Sequence, residues 1–581
     1  MSSFFTKPAS LKRKRNDGLG APRPAARRQA NKQDDNGSRP QKRREARDDD
    51  SVSSGSSDDE AAGLEDEAGS SSSESEADED AAGKRTRLAE RYLQNTRAEI
   101  LAEGFDAKDI DAELLAERMG ERLKEDTAES KGKIHRWIAN DYDWRSAEHT
   151  QFRSDTLATT GVACCPPFVY TVSKDMILTK WELPPKQETS TSKSQQRVKP
   201  KRVAFAKGNG KKSDDWDYKY HTGAILCVAA SMDGKFVATG GEDKKLIVWD
   251  AETLKPLKVF THHRDSVTSL AFRRYTNQLY SASKDRTIKT WSLDELAYVE
   301  TLFGHQDEVV DVAALNEEKC VTVGARDRTA RYWRIVEESQ LVFRGGGNTN
   351  SASARRKRGE DGSTTEIKSY NEGCIDRVAM VDEETFVTGS DNGTISLWNI
   401  QKKKAVFNLP LAHGLDPPPR PEDVSAEADP ENDVSVFREE QPRWITALET
   451  IPFTNIMISG SWDGQVRAWK ISEDKRRIEP LGPVGCKMQK VTKFTDNDDG
   501  EVIGAEADET LLESPTVRGV INDLAVFERG DRGQDGISIV AAIGKEHRLG
   551  RWYNLPGKNY SMLFKISKQA VNGTLENGHT E

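Results

Sequence analysis

The chain has 581 residues, 31% of them charged, which is enough for a large core with polar appendages. It contains no run of eighteen apolar residues and no apolar signal core at its start, which argues against membrane insertion and secretion. The six cysteines (164, 165, 227, 320, 374 and 486) show no CxxC spacing, the pattern of a reducing compartment, and the net charge of -10 is unevenly spread.

Residues 1–47 hold fourteen Lys or Arg against four acidic residues, and residues 48–83 hold fourteen Asp or Glu and no basic residue. With almost no aromatics and a Ser-rich acidic block, residues 1–83 cannot bury enough apolar surface to fold and are expected to be a disordered tail. The clusters Lys12, Arg13, Lys14, Arg15 and Lys42, Arg43, Arg44 resemble nuclear-import signals. From 84 to 140 the pattern turns helical. Leu88 and Tyr92 are four apart, as are Leu115, Met119 and Leu123, and Ile134, Trp137 and Ile138 continue an apolar face. Two such helices form too little core to stand alone, so they are expected to pack on the rest of the chain or on a partner.

A repeat then sets in. "TGGEDKKLIVWD", "SASKDRTIKTWS" and "GARDRTARYWRI" follow one another at 42-residue intervals, each with Asp six residues before Trp: Asp243/Trp249, Asp285/Trp291 and Asp327/Trp333. The same frame gives Asp175/Trp181, Asn392/Trp398, Asp463/Trp469 and Glu546/Trp552. Seven repeats with a terminal Trp predict an all-β, seven-bladed WD-repeat propeller over 141–566, with the seven tryptophans as core and a disordered tail over 567–581. Closing the ring requires one chain end to join the other's blade. Residues 149–158 are the candidate strand, with 560–566 as the alternative. Long gaps place inserts on the blades at 184–220, 345–371, 402–442 and 473–516.

In WD-repeat proteins a His, a Ser or Thr, the turn Asp and the Trp form a buried hydrogen-bond chain. The matching sets are His221, Thr239, Asp243, Trp249 and His263, Ser281, Asp285, Trp291, with His305, Asp327 and Trp333 in the fourth repeat. There Val323 stands at the hydroxyl position, so that network is expected to be incomplete. Repetition in successive blades marks these sets as structure, because a Ser-His-Asp active site occurs once. No phosphate loop, HExxH or GxSxG motif is present, and the chain reads as a binding scaffold without catalytic residues, metal site or cofactor.

The flanks of the turn Asp should share one face of the ring. Seven of those fourteen positions are Lys or Arg and two are acidic, in a chain whose net charge is -10. A locally inverted sign suits an anionic polymer. The candidate RNA contacts are Lys174, Lys244, Lys284, Arg286, Arg326, Arg328, Lys545 and His547, with Trp462 able to stack on a base.

The strings "LAFRRYTNQLYSASKDRTIKTW", "YVETLFGHQDEVVDVAAL", "RIVEESQLVFRG", "GKEHRLGRWY" and "ERLKEDTAESKGKIHRWIA" resemble the WD-repeat family specific to the U3 small nucleolar ribonucleoprotein, over roughly 84–555. The resemblance implies a nucleolar, non-catalytic scaffold. It would bind the box B and box C region of U3, a box C/D small nucleolar RNA, beside a kink-turn-binding core protein. Its setting would be pre-ribosomal RNA processing and small-subunit assembly in the small-subunit processome, with other processome proteins as partners and neither membrane nor small-molecule substrate. The competing expectation is a nuclear scaffold for acidic or phosphorylated peptides, such as a chromatin or ubiquitin-ligase adaptor.

Overall fold

The computed structural model describes, in the main, residues 134–153, 155–184, 198–213, 217–345, 372–417, 440–486, 515–552 and 554–569. The charged tail with both import clusters and nearly all of the 84–133 segment lie outside the described residues, as do 570–581.

Alternating β-branched and small residues form seven four-stranded antiparallel sheets. Blade two is representative. Its strands Ile225–Ala230, Phe236–Gly241, Leu246–Asp250 and Pro256–Phe260 pair in chain order. The innermost strands of successive blades lie side by side around a central channel, and the first blade's strand Thr159–Cys165 meets the last blade's strand Val520–Arg529. Neither face of such a sheet is polar enough to be left in water, so each blade is covered by the next. One interblade layer joins Val237, Ile247 and Trp249 to Tyr170 and Leu178, and another joins Tyr280 and Ile288 to Val312 and Trp333.

Ring closure uses both candidate segments. Tyr560–Ile566 is the third strand of blade seven, beside Gly536–Gly544, and the early strand Glu148–Phe152 pairs with it as the fourth. The expected inserts are partly blade as well. Lys201–Lys207 from the basic stretch, Phe407–Leu409 and Ile478–Pro483 are the outermost strands of blades one, five and six. Outer strands are half in water and carry a weak apolar pattern, which is why they read as loops.

Two expectations need correcting. The tryptophan of blade seven, Trp552, is not core: it is 55% exposed, because the third strand starts only at Tyr560. Ile134, Trp137 and Ile138 do not continue a helix. Residues 134–138 are non-helical, and only a single 3-10 turn follows at Ala139–Asp141. Tertiary bonds decide this. The side chain of Asn455 accepts the amides of Ile138 and Ala139, Arg136 bridges to Thr454 and pairs with Glu528 at 2.7 Å, and Tyr142 and Trp144 are buried against blades six and seven.

Candidate nucleic-acid interface

The polar frame of the site is the set of hydrogen-bond chains that fix the turns between second and third strands. In blade two, Trp249 Nε1 donates to Thr239 Oγ1 at 2.7 Å, the hydroxyl meets His221 Nε2 at 2.8 Å, and His221 Nδ1 meets the Asp243 carboxylate at 3.1 Å. Burial pushes the Asp243 carboxyl up, but His221 and the backbone amides of Thr222 and Lys245 overcome this and hold it below the usual range. Blade three repeats the chain through Trp291, Ser281, His263 and Asp285.

Blade four is complete, contrary to expectation. Thr322, not position 323, supplies the hydroxyl, 2.8 Å from both His305 Nε2 and Trp333 Nε1, and His305 Nδ1 reaches Asp327 at 2.8 Å. Thr322 faces Arg331 across the strand pair as Thr239 faces Ile247, so the extra residue lies in the turn. Blade six holds a set that sequence reasoning missed: His413, Ser459, Asp463 and Trp469. His413 lies 50 residues before its Asp instead of 22, because it sits early in the 402–442 insert and the rest of that insert follows it. Ser459 with Asp463 and Trp469 already signalled a missing His.

These chains hold a face of turns. Lys284 N bonds to Ser266 O, Glu242 N to Ala224 O and Ala325 N to Glu308 O, so each turn is tied to the loop entering its own blade. Lys244, Arg286, Arg326 and Arg328 are exposed there, and among the described residues no side-chain hydrogen bond or ion pair engages them. Lys284 is half-buried, 3.8 Å from Glu308. The residue after the turn Asp has φ between 51° and 68° at Lys244, Arg286 and Arg328, a left-handed conformation that Gly393 and Gly464 adopt in blades five and six.

The rest of the expected rim is not exposed as the turn count requires. The Lys174 side chain is 9% exposed, its ammonium spent on the carbonyls of His547 and Gly550 and the carboxylate of Glu546. His547 is buried, and its burial together with Arg548, Arg377 and Lys174 keeps the imidazole neutral. Lys545 and Trp462 are half-buried, and Trp462 donates to Asp416 at 2.7 Å. The positive turns are therefore those of blades two to four.

The channel is polar. Asp311, Arg377, Glu449, Asp523 and Arg548 line a cavity of about 260 Å³. Arg377 bonds to the carbonyls of Thr446 and Asn522, and Arg548, carried by blade seven, donates to the carbonyls of Thr268 and Val310 in blades three and four. Arg548 thus spans the mouth of the channel, and burial pushes its guanidinium down to about 10, still charged at neutral pH. Beside it an aromatic row runs from His547 to Trp552 to Trp444 to Trp462, with ring centroids 5.0, 5.9 and 6.0 Å apart.

The family model of the WD domain, G-beta repeat, matches residues 216–250, 254–292, 297–334 and 433–470. The chain is 37% identical over 543 residues to ribosomal RNA-processing protein 9 of Saccharomyces cerevisiae, covering 82% of this chain and 87% of that protein. It is 36% identical over 481 residues to U3 small nucleolar RNA-interacting protein 2 of Homo sapiens, covering 82% and 80%. The chain belongs to this family. Among solved structures, one titled "Structure of U3-55K" matches 73% of this chain and 100% of its own at 30% identity and a TM-score of 0.52. Membership makes the protein a non-catalytic WD-repeat homologue of ribosomal RNA-processing protein 9 and U3-55K.

Proposed function

We propose that this protein is a nucleolar RNA-binding scaffold of the U3 box C/D small nucleolar ribonucleoprotein that supports pre-ribosomal RNA processing and small-subunit assembly. Family membership supplies the particle. The observation that carries RNA contact is the cluster of exposed cations Lys244, Arg286, Arg326 and Arg328 on adjacent turns of a chain whose net charge is -10.

In this reading the turns engage phosphates of the paired box B and box C region, beside the core protein that holds the kink-turn. An A-form stem hides its base edges in a deep, narrow groove, so contacts of this kind read shape more than sequence. The basic clusters at residues 12–15 and 42–44 serve nuclear import, and the blade edges and inserts meet other processome proteins.

The test is ultraviolet crosslinking in cells, purification under denaturing conditions and sequencing of the attached RNA. Reads concentrated on the box B and box C stem of U3 are expected. If no small nucleolar RNA is enriched, the cationic turns serve a peptide partner and the RNA reading fails.

A further inference from the structure

Blade seven replaces its tight turn with the connection 545–559, and its described residues are tied down before and after Trp552. Asn522 Nδ2 donates to the carbonyls of Glu546 and Thr159, Lys174 to those of His547 and Gly550, and Arg548 to those of Thr268 and Val310. At its far end Asn559 accepts the amide of Lys545 and donates to Thr156 O. Blades one, three, four and seven all contribute to holding it.

What the frame holds out is Trp552. A side chain of that size is ordinarily drawn into a core, yet the indole is 55% exposed. Its position is set from below, because a Cβ placed at residue 550 would come within 1.8 Å of the ring. Glycine is the residue that leaves the indole room to lie flat against the backbone. His547 and Trp444 lie beside the ring, with centroids 5.0 and 5.9 Å away and each tilted 41° to it. Of the cations on the connection, Arg548 is buried and Lys545 half-buried, whereas Lys558 is exposed and Arg551, 74% exposed, pairs with Glu546 at 3.4 Å.

We infer that Trp552 is a stacking platform for one unpaired nucleobase of the bound RNA. The inference rests on the RNA reading above and names a contact within it. An exposed indole on a rigid, positively charged mount supplies what a splayed base needs: a flat apolar face without ordering cost, and nearby charge for the adjoining phosphate. The phosphate-binding turns of blades two to four offer no aromatic face of this kind. Arg548 links the two regions, since it reaches from this connection to the inner strands of blades three and four.

The test is a titration of the full-length protein with a U3 transcript over a range of salt concentrations. Trp552→Ala, Trp552→Phe, Gly550→Ala and the double variant Arg286→Glu/Arg328→Glu are compared, with melting temperatures verifying that each folds. Trp552→Ala should weaken binding about five- to 150-fold without changing the slope of affinity on salt. Trp552→Phe should recover most of the loss, and Gly550→Ala, which keeps the indole but displaces it, should reproduce part of it. The arginine double variant should instead lower the salt slope. Wild-type affinity for Trp552→Ala, alongside a lowered slope for the arginine variant, overturns the platform and leaves the RNA reading intact. If the unaltered protein does not bind the transcript in a salt-dependent way, the RNA reading falls and the platform with it.

Discussion

Thr322 lies eleven residues before Trp333, where Thr239 lies ten before Trp249. Counting back from the turn therefore lands on Val323, while the hydrogen bonds follow strand register and select Thr322. Thr322→Val leaves His305 and Trp333 with buried, unpaired nitrogens and should cost about 1–3 kcal/mol in denaturant unfolding. Val323→Thr in the same background should restore none of it. The arginines of the turns pose the opposite case, a conformation kept despite its cost. Arg286 and Arg328 hold left-handed backbones that glycine would hold without strain. Arg286→Gly and Arg328→Gly should leave stability unchanged or raise it by up to about 1 kcal/mol. Each should also lower the salt slope of RNA binding by about 0.7–0.9 for every phosphate that is no longer neutralised. A variant that folds at least as well and binds worse separates recognition from stability.

Single elements were legible where one strand carries its own signature. The tight turn between second and third strands, with Asp (Asn392 in blade five) at the bend and Trp six residues on, identifies blades one to six without reference to the rest of the chain. The connection 545–559 defeats that logic because "GKEHRLGRW" reproduces the spacing while its Trp points outward, and the strand that fills the position lies further along at Tyr560–Ile566. The outer strand Lys201–Lys207 was hidden for a different reason: its charges sit at its two ends and five of its seven residues face water, so no apolar alternation marks it. Helical spacing around Ile134 and Trp137 was overridden by Asn455, whose side chain captures the amides of Ile138 and Ala139. The site was half visible. Charge near the Asp turns marks one face of the ring, but which cations are spent internally depends on contacts across the ring, as with Lys174. Arg548 anchors the blade-seven connection to blades three and four. Arg548→Met should leave the carbonyls of Thr268 and Val310 without their donor, and limited proteolysis should cut within 545–559 faster than in the unaltered protein.

The whole ring shares a channel in which acids outnumber what their neighbours can neutralise. Burial, with Asp523 and Asp311 adding repulsion, pushes Glu449 up to about 8, and burial with Asp391 nearby pushes Asp376 up to about 7. A carboxyl whose folded pKa is raised holds its proton in the native state and has lost it in the unfolded chain. Its contribution to stability is therefore full below the unfolded value, about 4.3 for Glu, and falls as pH rises toward 8. Glu449→Gln mimics the protonated form. Relative to that variant, the unaltered protein should lose melting temperature steadily between about pH 5 and pH 8, and parallel curves for the two would exclude a charged channel as the cause.

Ring closure also sets a timetable. Phe152 pairs with Ser561, 409 residues later in the chain, so a strand that leaves the ribosome early waits for a partner made near the end. At about 5–20 residues per second the wait is about 20–80 seconds. Through that interval the inner blades can form, but both rims of the open arc present unpaired backbone. A newly made chain is thus most vulnerable to pairing with its neighbours during translation, and a helper that shields strand edges would act on it then, before the circle is sealed.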